Sequence, residues 1–319
     1  MSAAARLFSL PERGVLQVTG GDRVRWLDGM LTNDVRSLAA AGPRSGCHAL
    51  ALTREGRIVA ELHVLARAEA LLLETEREAT SELALHLARF VVADDVTVRD
   101  ASGDWERLAL EGPGAPEALA AALGAPLALE PDAWAEASLA GLRVLAAAYS
   151  LSGLGGRQLL VPEGEGGAVR AALLEAGRSL GVAPGTPAEL EVLRVEQGVP
   201  RQGRELTKDV LPAEARLERA VSETKGCFTG QEVVTRMRSR GRVSHLLVGL
   251  RFAGALPAPG SELLAGERSV GSVTSAVLSP RLGAIGLGFV RQGEAEPGNL
   301  LRTGEAEARV AALPFADAV

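Results

Sequence analysis

Hydrophobic and polar residues in the first third of the chain follow two different spacings. Short β-branched runs predict a strand at 14–20, strands in the segments CHALALT, GRIVAELHVLA and ALLLETE, and a strand at 96–100. Helical spacing predicts helices at 22–31 and 79–90. The resulting order, β-α-β-β-(β)-α-β, is close to the split βαβ pattern of ferredoxin-like domains.

The middle of the chain repeats a similar series less regularly. It has a strand-like segment at 105–112, a short helix in PEALAAAL, strands in LRVLAAAY and GRQLLVP, and a helix in AVRAALLEAGRSL. Pro and Gly cluster between these segments and indicate loops, none of them long enough for a flexible linker. The two series together predict a loosely duplicated α+β unit.

The pattern changes near residue 241. From there, short strands separated by Gly and Pro follow one another without helical spacing, which predicts a small antiparallel barrel or sandwich. The predicted domains are a first α+β lobe at 1–103, a second α+β lobe at 104–241 that is intertwined with the first, and a C-terminal β domain at 242–319.

Composition narrows the class of protein. Hydrophobic residues make up 47% and charged residues 23%, as in soluble globular proteins, and no segment has the length of a membrane span or a signal peptide, so we expect a cytoplasmic protein. Two distant cysteines, Cys47 and Cys227, argue against a disulfide framework and exclude C-x-x-C patterns. The net charge of -6 argues against direct binding of nucleic acid.

Polar residues follow the first predicted helix at the point where it should end. Asn33 and Asp34 lie in the sequence TNDV, and such residues commonly stabilise a turn or cap a helix. The alternative is an amide and a carboxylate that point from a loop into a pocket. Both interpretations stay open from these residues alone.

A second candidate group lies at the end of a helix in the segment 189–217. Arg194 and Glu196 precede the helix stop at Gly198, and their simplest interpretation is solvated helix charge. The long irregular segment that follows favours a functional role, because long loops in compact domains are often functional.

The third candidate is the segment KGCFTGQEVVTRMRSRGR at 225–242. Lys225 beside Cys227 favours a thiolate, yet the sequence brings no histidine near, so a structural cysteine is at least as plausible as a reactive one. Arg alternates at positions 236, 238, 240 and 242, and on a strand these four side chains would share one face. That face is either a solvated edge or a surface for phosphate or carboxylate groups.

Three motifs resemble the folate-binding YgfZ/GcvT family, specifically its YgfZ branch: DRVRWLDGMLTNDV, LRVEQGVPRQGRELTKDVLPAEA and KGCFTGQEVV. The resemblance implies α+β lobes around a central hole, a C-terminal small antiparallel β-barrel and bound tetrahydrofolate or a one-carbon derivative. It also implies a role in iron-sulfur cluster assembly or repair that indirectly supports tRNA modification. Its implied partners are folate and iron-sulfur assembly proteins or radical iron-sulfur enzymes, with no nucleic acid and no membrane.

The same resemblance suggests roles for individual residues. Glu196 matches a glutamate that bonds the pterin ring, and Lys225 matches a basic folate contact. Cys227 marks the YgfZ branch and is the candidate catalytic residue. The remaining predicted folate-binding residues are Asn33, Asp34, Arg194, Gln231 and Arg238, the last through a basic patch for the glutamate tail of folate.

The sequence also departs from the aminomethyltransferase branch of the family. That branch carries an acidic pair where GRIVAEL has Ala60 and Glu61, and a Gly-Glu-x-Gly-[FY]-Glu signature where this chain has GLGGRQ at 153–158. We therefore expect a tetrahydrofolate-binding accessory protein, with a folate-dependent aminomethyltransferase or methyltransferase as the alternative. Whether it is an enzyme stays open.

Overall fold

The computed structural model describes residues 5–41, 44–241, 243–304 and 306–315, except for the side chains of residues 39 and 238–240. Its contacts define two units. The first runs to Arg54, resumes at Val59–Thr186 and takes in Arg219–Thr229; the second comprises Glu55–Ile58, Pro187–Glu218 and the chain from Gly230 onward. None of the described helices has the length and apolar character needed to cross a membrane.

The first unit contains five helices and eleven strands among its described residues. In chain order they are β1 Arg6–Ser9, β2 Arg13–Thr19, α1 Arg23–Met30, α2 Val35–Ala41, β3 Gly46–Leu52, β4 Ile58–Ala66, β5 Leu71–Glu76, α3 Arg77–Ala88, β6 Thr97–Asp100, β7 Trp105–Glu111, α4 Ala115–Leu123, β8 Trp134–Leu139, β9 Leu142–Ala147, β10 Gly156–Pro162, α5 Gly166–Ala176 and β11 Ala183–Pro184. The predicted strands and helices of this region are present; α2, β1, β8 and β11 were not predicted.

Two sheets organise the first unit. The first has the order β3-β4-β5-β2-β6 and the second has the order β11-β1-β7-β10-β9-β8. The strand β1 belongs to the second sheet, where Arg6 lies opposite Glu111 of β7 and Ala183 of β11. The N-terminal strand thus joins a sheet whose other strands come more than ninety residues later. The predicted domains, with their boundaries and their intertwining, stay a prediction.

Alternation along each strand divides the core of this unit into layers. Leu16 and Val18 of β2 pack with the helices α1 to α3, whereas the intervening Val15 joins Leu145 and Leu160 in a layer shared by both sheets. The second sheet packs its other face on α4 and α5. Residues that point between the sheets are therefore buried on both sides, and any charged residue there needs a partner.

The second unit contains a closed barrel with the strand order β12-β15-β14-β13-β16-β17. Its elements are α6 Pro187–Gln197, α7 Gln231–Arg240, β12 His245–Ala253, β13 Glu262–Ala265, β14 Arg268–Ser279, β15 Gly283–Arg291, β16 Leu300–Thr303 and β17 Ala306–Ala311. All of the paired strands in it are antiparallel. The predicted fold class, mixed α/β lobes with a small C-terminal antiparallel barrel, is confirmed.

The alternating arginines do not lie on a strand. Arg236, Arg238 and Arg240 fall in α7, which Gly230 precedes and Gly241 ends, both with positive φ, at 84° and 62°. Val233, Val234 and Met237 have helical spacing, and this pattern determines the conformation more than the arginines do. The prediction of one arginine-lined strand face was therefore wrong; Arg242 lies outside the described residues.

Candidate functional site

The loop after α1 is built from its own polar side chains. Asn33 donates from Nδ2 to the carbonyl of His48 at 2.8 Å, and its Oδ1 accepts from the amide of Asp34 at 2.9 Å. Asp34 Oδ1 accepts from the amide of Ser37 at 2.9 Å and caps α2. These contacts fit the turn-and-cap interpretation; a folate contact by Asn33 or Asp34 stays a prediction.

Lys225 lies beneath the same loop. Its Nζ donates to the carbonyls of Asp28, Leu31 and Asn33, the last two at 2.7 and 3.0 Å, and its side chain is only 1% exposed. Burial lowers the pKa of Lys225 below its usual value, although the nearby Asp28 carboxylate opposes this. All three N–H groups of the ammonium are thus used to hold the end of α1, and its predicted folate contact stays a prediction.

The other predicted residues of this segment are spread over different environments. Cys227 is exposed and Gln231 is the first residue of α7. Arg238 lies in α7, but its side chain is outside the described residues. Cys47, by contrast, is buried, and burial followed by the charge of Asp132 raises its pKa to about 12. Cys227 is therefore the accessible thiol of the two.

Arg194 on α6 is the centre of a buried network in the second unit. Its Nε donates to Glu191 at 2.7 Å, its Nη1 donates to Glu205 and to the Val199 carbonyl, both at 3.1 Å, and its Nη2 donates to Ser275 at 2.6 Å. Burial would lower the pKa of Arg194, but Glu191 and Glu205 raise it. We call Arg194, Glu191, Glu205 and Ser275 the Arg194 network.

Glu196, the predicted pterin contact, is 1% exposed and engages the barrel in the same unit. Its two oxygens accept from the Ser279 hydroxyl at 2.5 Å and from Arg281 Nη2 at 2.6 Å. The interpretation of Arg194 and Glu196 as solvated helix charge was wrong, because both side chains are buried. Their folate contacts stay predictions.

A second group of charged residues lies between the two sheets of the first unit. We call it the intersheet cluster; its members are Arg13 of β2, His48 of β3, Glu61 and His63 of β4, Glu74 of β5, Arg107 of β7, and Asp132 and Tyr149 beside β8 and β9. These residues come from seven strands or strand ends because alternate positions on each strand point into the shared layer. The cluster was not predicted as a site.

Three rings form a stack at one end of this cluster. The His63 ring lies 3.6 Å from that of Tyr149 at 9° and 4.8 Å from that of His48 at 15°. His48 Nε2 lies 2.7 Å from Glu61 Oε1, and His63 Nε2 lies 3.6 Å from the same oxygen. One carboxylate oxygen therefore faces two imidazoles.

Asp132 approaches the other side of His63, with its Oδ1 3.4 Å from His63 Nδ1. Gly46 permits this approach, since a Cβ there would lie 2.2 Å from the Asp132 carbonyl oxygen. His63 is thus flanked by a carboxylate at each ring nitrogen.

Charge pairing shifts the protonation of these groups. Burial opposes the ionised form of Glu61, but His48 and then His63 outweigh it and lower its pKa to about 2. Burial likewise would lower the pKa of His48, while Glu61 raises it above its usual value. The pair therefore favours a carboxylate beside an imidazolium.

Glu74 joins the other end of the cluster and is fully buried. Its Oε1 accepts from Arg13 Nε and lies 3.2 Å from Arg107 Nη2, which also donates to the Tyr149 hydroxyl at 3.2 Å. Burial lowers the pKa of Arg107 to about 10, although Glu74 opposes the shift. Polar atoms of Arg13, Arg107 and Glu74 still have no hydrogen-bond partner within the described part of the chain.

The segment GLGGRQ at 153–158 lacks the two carboxylates of the aminomethyltransferase signature. A carboxylate from another part of the sequence, that of Glu111, contacts Gln158 at its end. Glu111, 1% exposed, accepts from Gln158 Nε2 at 2.6 Å, from the Ser152 amide at 3.0 Å and from the Ser152 hydroxyl at 2.6 Å. Gln158 Oε1 remains buried without a partner. The sequence motif alone gave no sign of Glu111.

Comparison with protein-family models gives two matches. Residues 1–225 match the GCVT N-terminal domain, and residues 246–317 match the glycine cleavage T-protein C-terminal barrel domain. Together the two matches cover both the sheets of the first unit and the barrel.

Curated relatives and solved structures agree with these matches. The aminomethyltransferase of Frankia alni is 32% identical over 92% of this chain and 80% of its own length, and that of Shouchella clausii is 31% identical over 88% and 76%. The crystal structure of glycine cleavage system aminomethyltransferase T from Bartonella henselae aligns with a TM-score of 0.85 and 24% identity over 98% of this chain and 86% of that one. The last similarity concerns the fold alone.

Proposed function

The chain belongs to the family of glycine cleavage T-proteins, and on that premise we propose that it binds tetrahydrofolate and takes part in a one-carbon transfer of the aminomethyltransferase type. The names of its relatives support this alternative more than an accessory role. The observation that carries the proposal is the carboxylate of Glu61 on β4. It stands at one of the two positions that are acidic in the aminomethyltransferase branch, and the other position is Ala60 in this chain.

The described residues fit a polar heterocyclic ligand. Gln158 Oε1 is buried without a hydrogen-bond partner among the described residues, and a pterin ring offers donors for such an atom. Bound tetrahydrofolate would supply the nitrogen atoms that carry a one-carbon unit. Within the chain, Glu61 would hold negative charge at Oε1, and His48 would hold a proton at Nε2, 2.7 Å away.

The test combines a binding measurement with a transfer assay, both in the presence of a chelator. Calorimetric titration with tetrahydrofolate should show saturable binding, and the protein should form methylenetetrahydrofolate from an aminomethyl donor. Glu61→Gln keeps the shape and removes the charge, so turnover should fall by about 100-fold while affinity changes much less. The exposed Glu69→Gln is the matched control. No saturable heat with the unaltered protein would refute the proposal.

A second candidate is an accessory role in iron-sulfur cluster assembly or repair, which would support tRNA modification only indirectly. The exposed thiol of Cys227 within KGCFTGQE favours it, since an accessible thiol can meet a cluster or a partner protein. In cells that depend on this protein for iron-sulfur enzyme activity, Cys227→Ala should abolish rescue. Cys47→Ala, which changes a buried thiol, should retain it; equal rescue by both variants would exclude the thiol from this role.

A further inference from the structure

One end of the intersheet cluster presents three side chains of the types that bind transition metals. His48, Glu61 and His63 each offer one ligand atom, and these three atoms lie within 4.8 Å of one another. No other group of three such side chains occurs among the described residues. Two imidazoles with one carboxylate suit Zn²⁺ or Fe²⁺, and they leave further coordination positions open.

The three ligand atoms lie within 4.8 Å of one another, and the two distances from Glu61 Oε1 are close to those around a coordinated ion. Bonds of 2.0 to 2.2 Å in a tetrahedral site separate neighbouring ligand atoms by about 3.4 Å, and His63 Nε2 already lies 3.6 Å from Glu61 Oε1. His48 Nε2 lies 2.7 Å from that oxygen, so an ion requires it to move outward by less than 1 Å. The two imidazole nitrogens, at most 4.8 Å apart, would also have to approach each other by up to about 1.4 Å.

Asp132 occupies the place of an outer carboxylate. A metal-bound histidine commonly directs its second ring nitrogen at a carboxylate, which orients the ring. Here His63 Nδ1 lies 3.4 Å from Asp132 Oδ1, while Nε2 faces Glu61. With neutral imidazoles, the charge of Glu61 and Asp132 matches that of a divalent cation.

The hydrogen bonding of His48 points to a ligand as well. Its Nε2, a proposed ligand atom, is buried and makes no well-aligned hydrogen bond among the described residues, although it lies 2.7 Å from Glu61 Oε1. Buried polar atoms of this kind are rare in native proteins and need an explanation such as an ion. An entry path exists, because the side chains of His48 and Asp132 are 22% and 34% exposed.

We propose that His48, Glu61 and His63 bind a divalent first-row transition metal ion, with Asp132 orienting His63 from the outer shell. The proposal goes beyond the proposed function but uses the same His48–Glu61 pair, with the ion in place of the proton at His48 Nε2. Its test therefore omits folate, whereas folate binding is measured with a chelator, so that either can fail alone.

The experiment is a titration of the full chain with Co²⁺ after removal of metal by a chelator. The visible absorption of Co²⁺ reports nitrogen and oxygen ligands, and competition with Zn²⁺ gives the affinity. We expect one ion per chain, at least a tenfold loss of affinity in His63→Ala, and about a tenfold loss in Asp132→Asn. His245→Ala, on β12 of the second unit, is the matched control and should bind as the unaltered protein does.

Two results would overturn the proposal. One is the absence of a saturable Co²⁺ spectrum; the other is equal affinity in His63→Ala and His245→Ala. Because His63→Ala leaves a cavity beside Tyr149, folding of the variant is checked by circular dichroism. His48→Gln, at the more exposed position, provides a second variant with the same expected loss of affinity.

Discussion

The Arg194 network and the intersheet cluster bury the same kinds of charged groups but differ in how completely these are paired. Each nitrogen of the Arg194 guanidinium has a partner, and Ser275 in turn donates to Glu205 at 2.6 Å. In the intersheet cluster, atoms of Arg13, Glu74, Arg107 and His63 have no hydrogen-bond partner among the residues that the structure describes.

The difference separates two uses of buried charge. A fully satisfied network holds elements together, because each group recovers the hydrogen bonds that burial removed. A partly satisfied network loses stability unless something else binds there, and sites that are suboptimal for stability are often functional. We therefore expect the Arg194 network to stabilise the fold and the intersheet cluster to bind a ligand.

The largest expected loss of stability comes from breaking the Arg194 network. Arg194→Met should lower the free energy of unfolding by about 3–5 kcal/mol, because it leaves Glu205 buried without its cation. Urea denaturation measures the change. Arg302→Met, on the exposed face of β16, is the control and should change the free energy by less than about 0.5 kcal/mol. Equal losses of unfolding free energy in the two variants would show that the Arg194 network stabilises the protein no more than an exposed arginine does.

A smaller loss is expected at Lys225. Lys225→Met should cost about 2–3 kcal/mol, since it leaves backbone carbonyls at the end of α1 without their donor. The matched control is Lys208→Met, at an exposed position. If folate binding falls as well while the loss of stability stays below the expected value, Lys225 is a ligand contact rather than an anchor.

The stability that the Arg194 network contributes should depend on pH, and this effect should be smaller still. Burial would raise the pKa of Glu191, but Arg194 outweighs it and holds the pKa below its usual value near 4.5. A carboxyl with a lowered folded pKa stabilises the protein above its unfolded pKa and loses this contribution as pH falls. The difference in stability between the unaltered protein and Arg194→Met should therefore narrow below about pH 4.5. A constant difference down to pH 3 would argue against the Glu191 contact.

The smallest expected change of stability tests the intersheet cluster. His63→Phe keeps the ring stack on Tyr149, and Glu61 keeps His48 as its partner, so the free energy of unfolding should change by no more than about 1 kcal/mol. Metal binding should nevertheless be lost. A destabilisation as large as that of Arg194→Met would make His63 a structural residue and would contradict the comparison.

The sequence predicted the elements well where spacing was decisive. The alternation around Leu16 and the helical spacing of Trp26, Leu27 and Met30 specify β2 and α1 without any distant contact. The error at α7 arose because four arginines at every second position were given more weight than Val233 and Met237.

The sites were less accessible to sequence reasoning, because their members are distant along the chain. Arg194 donates to Ser275, which lies 81 residues later in the chain. In the intersheet cluster, the pairing of strands brings His48 and His63 near Asp132 and Tyr149. One local signal was available: Glu61 and His63 are two residues apart on a strand and so share a face. It could not reveal what that face would meet.

The position of β1 has a consequence for biosynthesis. During translation this strand leaves the ribosome about a hundred residues before β7, its antiparallel partner, and still longer before β11. At 5–20 residues per second, that interval lasts roughly 5 to 20 s, during which the apolar Leu7 and Phe8 have no sheet to join. The second sheet can therefore be completed only after β7 and the later strands that pair around β1 have been synthesised.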